Sequence, residues 1–315
     1  MSTASPVPQT YELEDDEARE TLRECGLVQL TKDAFMRFRV ADGFSHARAL
    51  AFQVVLTFLP GIIAFVGLIE VINQDPLQRA ARRALVDFAP GPASRILTQA
   101  FQQGSSAGGA PLLIGVIATL VAGTLAMGQL ERGANRIYGV ERDRPTTLKY
   151  ARGFALAISA GLLIAIAALA FVAGSAAGQA AQVTGISGTL VTVWSFARWP
   201  LAIAAAVTAF AILFKHSPRR IQPAASWLAH GSALSTLLWF VFTGFLSLYL
   251  TASKSFGQTY GPLAGLIGIL LWAFLTSLAV LLGLAFAAQL EAVRAGVPNP
   301  QTAEDRHDPP EYSRG

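Results

Sequence analysis

Long uncharged stretches alternate with short charged segments along this chain. No Asp, Glu, Lys or Arg occurs within residues 153–197, 221–253 or 255–290. Soluble domains do not contain such runs, because charged side chains must cover a surface that faces water. A bilayer accepts them, and a helix of about 20 mostly apolar residues crosses it. The pattern therefore predicts a polytopic membrane protein.

The apolar stretches predict an all-α integral membrane bundle of six transmembrane helices. The fourth is the shortest, with 16 residues between Arg198 and Lys215, so we expect its helix to begin earlier, near Leu190. The predicted spans are Ala47–Val71, Pro111–Leu130, Phe154–Gly174, Trp199–Phe214, Trp227–Leu250 and Pro262–Gln289.

Amphipathic segments flank the first predicted span. Apolar residues recur at helical spacing on both sides of Pro92, which predicts two short helices on the outer membrane surface. Before the first span, Thr31 is a candidate N-cap for a further helix. We expect that helix to lie in the cytoplasmic interface, with an apolar stripe beside basic residues. These residues are Ala34, Phe35, Phe38, Lys32, Arg37 and Arg39.

The two ends of the chain are polar and predict tails. The stretch from Tyr11 to Glu24 is dominated by Glu and Asp, and we expect residues 1–29 to form a disordered acidic cytoplasmic tail. Residues 293–315 are rich in Pro and polar residues and predict a second disordered cytoplasmic tail. Residues 30–292 then form the predicted six-span membrane domain.

Composition and charge placement agree with a membrane location. Charged residues make up 14% of the chain, whereas soluble domains carry about 25%. If both termini lie in the cytoplasm, 18 of the 24 Lys and Arg residues face inward and 6 face outward. Because cytoplasmic loops carry an excess of Lys and Arg, this orientation is favoured.

Few residues suggest catalysis. The chain has one cysteine and four scattered histidines, so no metal-ligand spacing is present, and we expect neither a metal nor a cofactor. It also lacks the nucleophile-elbow, metalloprotease and phosphate-loop motifs. We therefore predict a protein that is not an enzyme and that contacts membrane lipids rather than nucleic acid.

Polar and small residues inside the spans suggest a substrate path. Gln53 and His230 are costly to bury, so they either bond to neighbouring helices or line a cavity. Pro60 interrupts the first span, and such breaks are tolerated beside protein or water. Gly261 and Gly265 allow close helix approach at the start of the sixth span. These five residues form the predicted path of a lipid-like substrate.

A charged motif follows the second span. Glu131 and Asn135 are four residues apart and share a helix face, so the span should continue as a helix beyond the membrane. Gly139, after Tyr138, is a suitable stop. Glu131, Asn135 and Arg136 either tie this helix to a neighbouring loop or meet lipid phosphates, and we favour the structural tie.

Several strings resemble the YihY/BrkB family of bacterial inner-membrane proteins. They are FSHARALAFQVVLTFLP from Phe44, QLERGANRIYGVERDRP from Gln129, RWPLAI from Arg198 and FGQTYGPLAGLIGILLWAFLTSLAVLLG from Phe256. The resemblance implies six spans and a role in envelope integrity, with lipid or small-molecule transport as the expected activity. It also implies that an older ribonuclease label of the family is mistaken.

The chain departs from the family pattern at the end of the sixth span. Where relatives carry Ala-Glu-Leu-Asn, residues 284–287 read Leu-Ala-Phe-Ala, and Gln289 and Glu291 follow. We expect a transporter-like protein that handles a lipid or another amphipathic small molecule. The alternative is a non-transporting scaffold for envelope-assembly partners. A hydrated groove at Gln53 and His230 favours transport, and a sealed bundle favours the scaffold.

Overall fold

The structure is a computed structural model that describes residues 3–9, 17–72, 110–163, 166, 188–253, 259–260 and 263–301. Regular structure in these residues is helical and includes no strand. The all-α prediction is therefore confirmed. The helices are α1 (Glu17–Cys25), α2 (Leu27–Val40), α3 (Gly43–Ile72), α4 (Ala110–Ile137), α5 (residues 146–163), α6 (Gly188–His216), α7 (Ala225–Ala252) and α8 (Ala264–Arg294).

Five of these helices are long and apolar enough to cross a bilayer: α3, α4, α6, α7 and α8. They correspond to the first, second, fourth, fifth and sixth predicted spans, and α6 begins before Leu190 as expected. Helix α5 contains the start of the predicted third span, whose remainder lies largely outside the described residues. The predicted loop helices on both sides of Pro92 also lie outside them.

Helix α8 is at the centre of the bundle. It packs against α3, α7 and α2, while α4 packs along α3 and α6 packs along α7. In its most apolar segment 56% of the residues are buried, against 6% in the corresponding segment of α6. Apolar side chains that lipid can solvate therefore cover most of the outer helices, and α8 carries the interior contacts.

Small residues bring the spanning helices together. A Cβ atom added at Gly231 of α7 would clash with the Gly283 carbonyl of α8. One added at Gly115 of α4 would lie 2.6 Å from the Ala64 nitrogen of α3. Without a hydrophobic driving force inside lipid, such close backbone contact is a main source of helix association.

Helix α2 differs from the predicted interfacial helix. It begins at Leu27, and the Thr31 hydroxyl donates to the Leu27 carbonyl at 2.7 Å, so Thr31 is not the N-cap. Ala34, Arg37 and Phe38 are buried. The outward face instead carries exposed Leu27, Val28, Lys32 and Phe35. The expected apolar stripe is thus divided between the bundle and the surroundings.

The described parts of the terminal segments are folded, unlike the disordered tails that the composition predicted. Ala18 of α1 packs in a cluster with Leu30, Trp227 and Leu290. Residues 3–9 have no regular structure but bond to α4 and to residues 298–301, as described below. These contacts come from long-range hydrogen-bond partners, which local composition does not reveal. Residues 302–315 lie outside the described part.

Candidate functional site

A buried polar cluster occupies one end of the bundle, which we call the polar end. It joins residues 3–9, α2, the end of α4, the loop before α5, the loop after α6 and the end of α8. Its principal side chains are Arg37, Glu131, Asn135, Tyr138, Asp143, Arg144, Arg220, Gln289 and Glu291.

An ion pair between Glu131 and Arg144 closes the loop after α4. The guanidinium Nη1 lies 2.9 Å from Glu131 Oε2, and the Arg144 backbone N–H donates to Oε1 at 3.1 Å. Arg144 also donates to the carbonyls of Ser217 and Pro218. The two side chains are only 7% and 5% exposed, so neither charge is solvated by bulk water. The pair joins α4 to the loop after α6.

Asn135 bridges the same two loops. Its Nδ2 donates to Asp143 Oδ1 at 2.8 Å, and its Oδ1 accepts the Arg219 backbone N–H at 2.7 Å. Lys149 Nζ also donates to Asp143, at 2.8 Å. Burial works to raise the pKa of Asp143, but the hydrogen bonds from Lys149 and Asn135 outweigh it and hold the pKa below its ordinary value. Asp143 is therefore ionised at neutral pH.

Helix α4 ends where the sequence predicted. Gly139 adopts a φ of +76°, which strongly favours glycine. Arg136 donates to the carbonyls of Val140 and Glu141 just beyond the stop. Glu131, Asn135 and Arg136 thus all contact neighbouring loops. A direct contact between these residues and a ligand stays a prediction.

Arg37 crosses from α2 to α8. Its Nε donates to Gln289 Oε1 at 2.7 Å, and Gln289 Nε2 donates to the Pro298 carbonyl at 2.6 Å. Nη1 reaches the Ile137 carbonyl at 3.1 Å. Burial lowers the pKa of Arg37 to about 10. The guanidinium therefore keeps its charge at neutral pH although its residue is fully buried.

Arg220 pairs with Glu291, and both side chains are 1% exposed. The guanidinium carbon lies 4.6 Å from the centre of the Tyr138 ring, a favourable cation–π distance. Burial and the nearby Glu291 charge raise the pKa of Tyr138, so the phenol is neutral. An aromatic ring and a carboxylate thus stabilise one buried cation.

Residues 3–9 lie across these arginines, and we call them the strap. Arg37 Nη1 donates to the Ser5 carbonyl at 3.0 Å and Nη2 to Ser5 Oγ at 3.3 Å. Arg220 Nη2 donates to the Pro8 carbonyl at 3.1 Å. Backbone bonds connect Ala4 to the Arg136 carbonyl and Val7 to the Tyr138 carbonyl.

The residues of the predicted substrate path are not gathered in one place. Gln53 is half-buried in α3, and its Oε1 has no hydrogen-bond partner among the described residues. His230 Nδ1 lies 3.1 Å from the Ser226 carbonyl of its own helix α7. Helices α3 and α7 both pack on α8 without an extended contact with each other. Pro60 lies within α3, Gly265 is buried in α8, and Gly261 lies outside the described residues.

Arg37 and Arg220 are buried members of the polar end that the sequence did not single out. Leu30, Ala34, Arg37 and Phe38 follow the i, i+4, i+7, i+8 spacing of one buried helix face. That spacing could have identified Arg37 as a residue on the buried face of α2. Arg220 follows the fourth span in a short basic loop, and no local pattern separates it from Arg219, which is exposed.

The side chains of the polar end are arranged to hold its loops together rather than to act as acids or bases. Each carboxylate described above is paired with a cation, so none is poised as a base. No group of three or more metal-ligating side chains occurs in the described parts of the chain. Two shallow depressions occur on the described surface. One of about 490 Å³ is lined by Leu27, Val28, Thr31, Lys32 and Phe35, and one of about 320 Å³ is lined by Val121, Thr124, Leu125, Tyr150 and Phe154.

Comparison with known proteins adds the family context. The family described as Virulence factor BrkB matches residues 34–308. A ribonuclease-like protein of Bacillus subtilis, YfkH, is 24% identical over 81% of this chain and 93% of its own length. A UPF0761 membrane protein of Chromohalobacter salexigens is 25% identical over 84% of this chain, which spans 63% of that relative. One from Pseudoalteromonas atlantica is 25% identical over 77% of this chain and 79% of its own. No solved structure matches.

Proposed function

Because the chain belongs to the Virulence factor BrkB family of membrane proteins, we propose that it handles a lipid or another amphipathic small molecule in the inner membrane and thereby maintains the envelope. The carbonyl oxygen of Gln53 is the observation that carries this proposal. It is a buried acceptor without a described hydrogen-bond partner, in a helix that crosses the bilayer. Such an atom costs about 1–3 kcal/mol when it stays unpaired.

The surroundings of Gln53 define the kind of molecule that fits. No charged residue occurs between Ala49 and Ile69, so a charged headgroup would find no partner in this part of α3. Pro60 lacks an N–H and leaves the Leu56 carbonyl without its helical donor. Two polar groups in an apolar helix suit a polar but uncharged part of a lipid. Its headgroup would remain at an interface.

Lipid redistribution tests this function. We would reconstitute the purified chain in phosphatidylcholine vesicles with a fluorescent phospholipid and follow its transfer between leaflets. Gln53→Leu should slow the protein-dependent transfer about tenfold, as expected for a loss of about 1.4 kcal/mol. Thr57→Val is the matched control, since the Thr57 hydroxyl already donates to the Gln53 backbone carbonyl. Equal rates for wild type and Gln53→Leu would contradict the proposed path.

The polar end is proposed to face the cytoplasm, since the balance of Lys and Arg favours that side. Thr146 is exposed at the start of α5 and suits a topology test. In a Cys25→Ser background, a Thr146→Cys variant should resist an impermeant thiol reagent in intact cells. It should react after permeabilisation. Labelling in intact cells would reverse the orientation.

A scaffold is the second candidate, and the contact between α7 and α8 favours it. Gly231 meets Gly283 there, and the Ser235 hydroxyl donates to the Ala279 carbonyl at 3.0 Å. Helices locked this closely leave no route between them. The scaffold would therefore be preferred if wild-type vesicles transfer no lipid.

A nuclease is the function that one relative's name suggests. Glu131, Asp143 and Glu291 are each paired with a cation, which disfavours their use as ligands for a divalent metal. We expect purified protein to leave RNA intact with Mg²⁺ or Mn²⁺ added. Cleavage that disappears on a point substitution in this chain would contradict the expectation.

A further inference from the structure

The strap satisfies two buried arginines with neutral oxygen atoms. Arg37 and Arg220 donate to three strap acceptors, which are the Ser5 carbonyl, the Ser5 hydroxyl and the Pro8 carbonyl. Carbonyl and hydroxyl oxygens are weaker partners for a guanidinium than carboxylate or phosphate oxygens are. The strap therefore occupies guanidinium donors to which carboxylate or phosphate oxygens would bind more strongly.

The charges under the strap do not balance. Arg37 and Arg220 are both cationic, while Glu291 is the carboxylate paired with Arg220. Tyr138, which faces both arginines, is neutral. Uncompensated buried charge is costly, so proteins usually pair it. This group of described residues carries one excess positive charge.

A donor of Arg220 is also left over. Its Nη1 is buried and has no hydrogen-bond partner among the described residues, although Nη2 serves both Glu291 and Pro8. An arginine offers five N–H donors in a planar fork, and phosphate matches that fork with two oxygens. The missing acceptor is thus at Arg220 and the missing negative charge at Arg37, and the strap bonds to both side chains.

We propose that Arg37 and Arg220 form a latent phosphate-binding site that the strap closes, and that a phosphate group replaces the strap when it binds. The oxygens of a phosphate monoester accept from guanidinium N–H groups that now donate to the strap, and its negative charge offsets the excess cation. The phosphate can belong to a lipid headgroup or to a soluble phosphate. The site does not depend on transport, because a scaffold could use it equally.

The strap is built to leave without unfolding the bundle. Only Ala4 and Val7 bury apolar side chains from it. Hydrogen bonds also hold it, from Ser5 to the carbonyls of Asn299 and Pro300 and from Ala4 and Val7 to α4 and its following turn. Water can replace those bonds once the segment lifts. Local opening of segments without regular secondary structure is common in native proteins.

Protection of Val7 provides the test. In the full chain with Cys25→Ser, a Val7→Cys variant places a thiol at a position that is 6% exposed. Its reaction rate with a maleimide would be measured in detergent with inorganic phosphate or with potassium chloride at equal ionic strength. Nanodiscs of phosphatidylcholine with and without phosphatidic acid provide the lipid arm. Since a minor open state is populated to at most about 10%, saturating binding should raise the rate at least about tenfold.

Substitutions distinguish phosphate binding at this site from general effects of salt on the labelling rate. Arg220→Gln with Glu291→Gln removes the ion pair as a unit and should abolish the acceleration. Arg142→Gln, at an exposed arginine, should retain it. If the double variant does not fold, Arg220→Lys is the substitute, because it keeps the positive charge but loses the planar pair of guanidinium donors. It should raise the phosphate concentration at which the acceleration of labelling is half-maximal.

Each result decides the proposal. Acceleration by phosphate alone identifies a soluble ligand, and acceleration by phosphatidic acid alone identifies a lipid headgroup. The proposal is overturned if neither probe accelerates labelling, or if Val7→Cys reacts rapidly without any anion. It is also overturned if the Arg220 variants respond as strongly as wild type.

Discussion

The polar end and the membrane-spanning part of the bundle are held together by different interactions. At the polar end, ion pairs such as Arg220–Glu291 join segments that are far apart in the chain. Along the spans, small residues such as Gly231 and Gly283 bring α7 and α8 into backbone contact. One region depends on charge pairing, and the other on close van der Waals packing.

This difference has a mechanical consequence. Buried ion pairs have one good geometry, so the loops of the polar end should behave as a rigid unit. The spans have few interhelical polar bonds among the described residues, of which Ser235 to Ala279 is one. Movement of the spans would therefore break fewer specific bonds than movement of the polar end. Any rearrangement that moves a lipid across the bilayer should occur in the spans, while the loops of the polar end stay fixed.

Removal of Arg144 should lower the stability of the polar end more than any other change proposed here. Arg144→Gln leaves Glu131 as an unpaired buried carboxylate, and breaking such a pair costs about 3–5 kcal/mol. We expect a matching fall in the free energy of unfolding, measured by denaturation in mixed micelles. Arg142→Gln, two residues earlier at an exposed position, is the control and should change little. Equal stability of both variants would show that the Glu131–Arg144 ion pair does not stabilise the polar end.

A methyl group in the α7–α8 contact should have an intermediate effect. Gly231→Ala forces a Cβ against the Gly283 carbonyl, and overpacking of this kind costs about 1–3 kcal/mol. Gly244→Ala in the same helix meets nothing within 4 Å and is the matched control. The same unfolding measurement should separate them. A Gly231→Ala protein as stable as the control would mean that the two helices can move apart freely.

The interhelical hydrogen bond should contribute less. Ser235→Ala removes the bond to Ala279, and such bonds in membranes average about 0.6 kcal/mol. Ser232→Ala removes a bond within α7 itself and should have almost no effect. The difference between the two variants isolates the bond between helices. A loss above the Gly231→Ala value would mean that this hydrogen bond outweighs the close packing of α7 on α8.

Asp143 should contribute least and should be insensitive to pH in the physiological range. Its pKa is held below the ordinary 3.8, so its stabilisation is present above that pH and is lost only as the pH falls through the folded value. Asp143→Asn should cost about 0.5 kcal/mol, as for a partly exposed pair. Melting temperatures should show the same cost at pH 5 and pH 8. A cost that disappears at pH 5 would contradict the depressed pKa.

Five of the predicted spans correspond to described helices, and they were readable from the sequence because each is a long apolar run, for which local patterns suffice. The end of α4 was readable for the same reason, since Gly139 follows the helical spacing of Glu131 and Asn135. The strap and the burial of Arg220 were not. Both depend on partners up to hundreds of residues away, such as Pro8 for Arg220, and no local pattern encodes those pairings.

Hydrogen–deuterium exchange of the full chain in lipid nanodiscs tests most directly whether the polar end is a rigid frame. The amides of Val140, Arg144 and Arg219 lie in loops outside the spanning helices, yet each donates to a described acceptor. We predict protection of these amides on the order of hours, comparable to the helices. Exchange within seconds, at the rate of ordinary exposed loops, would contradict a rigid frame.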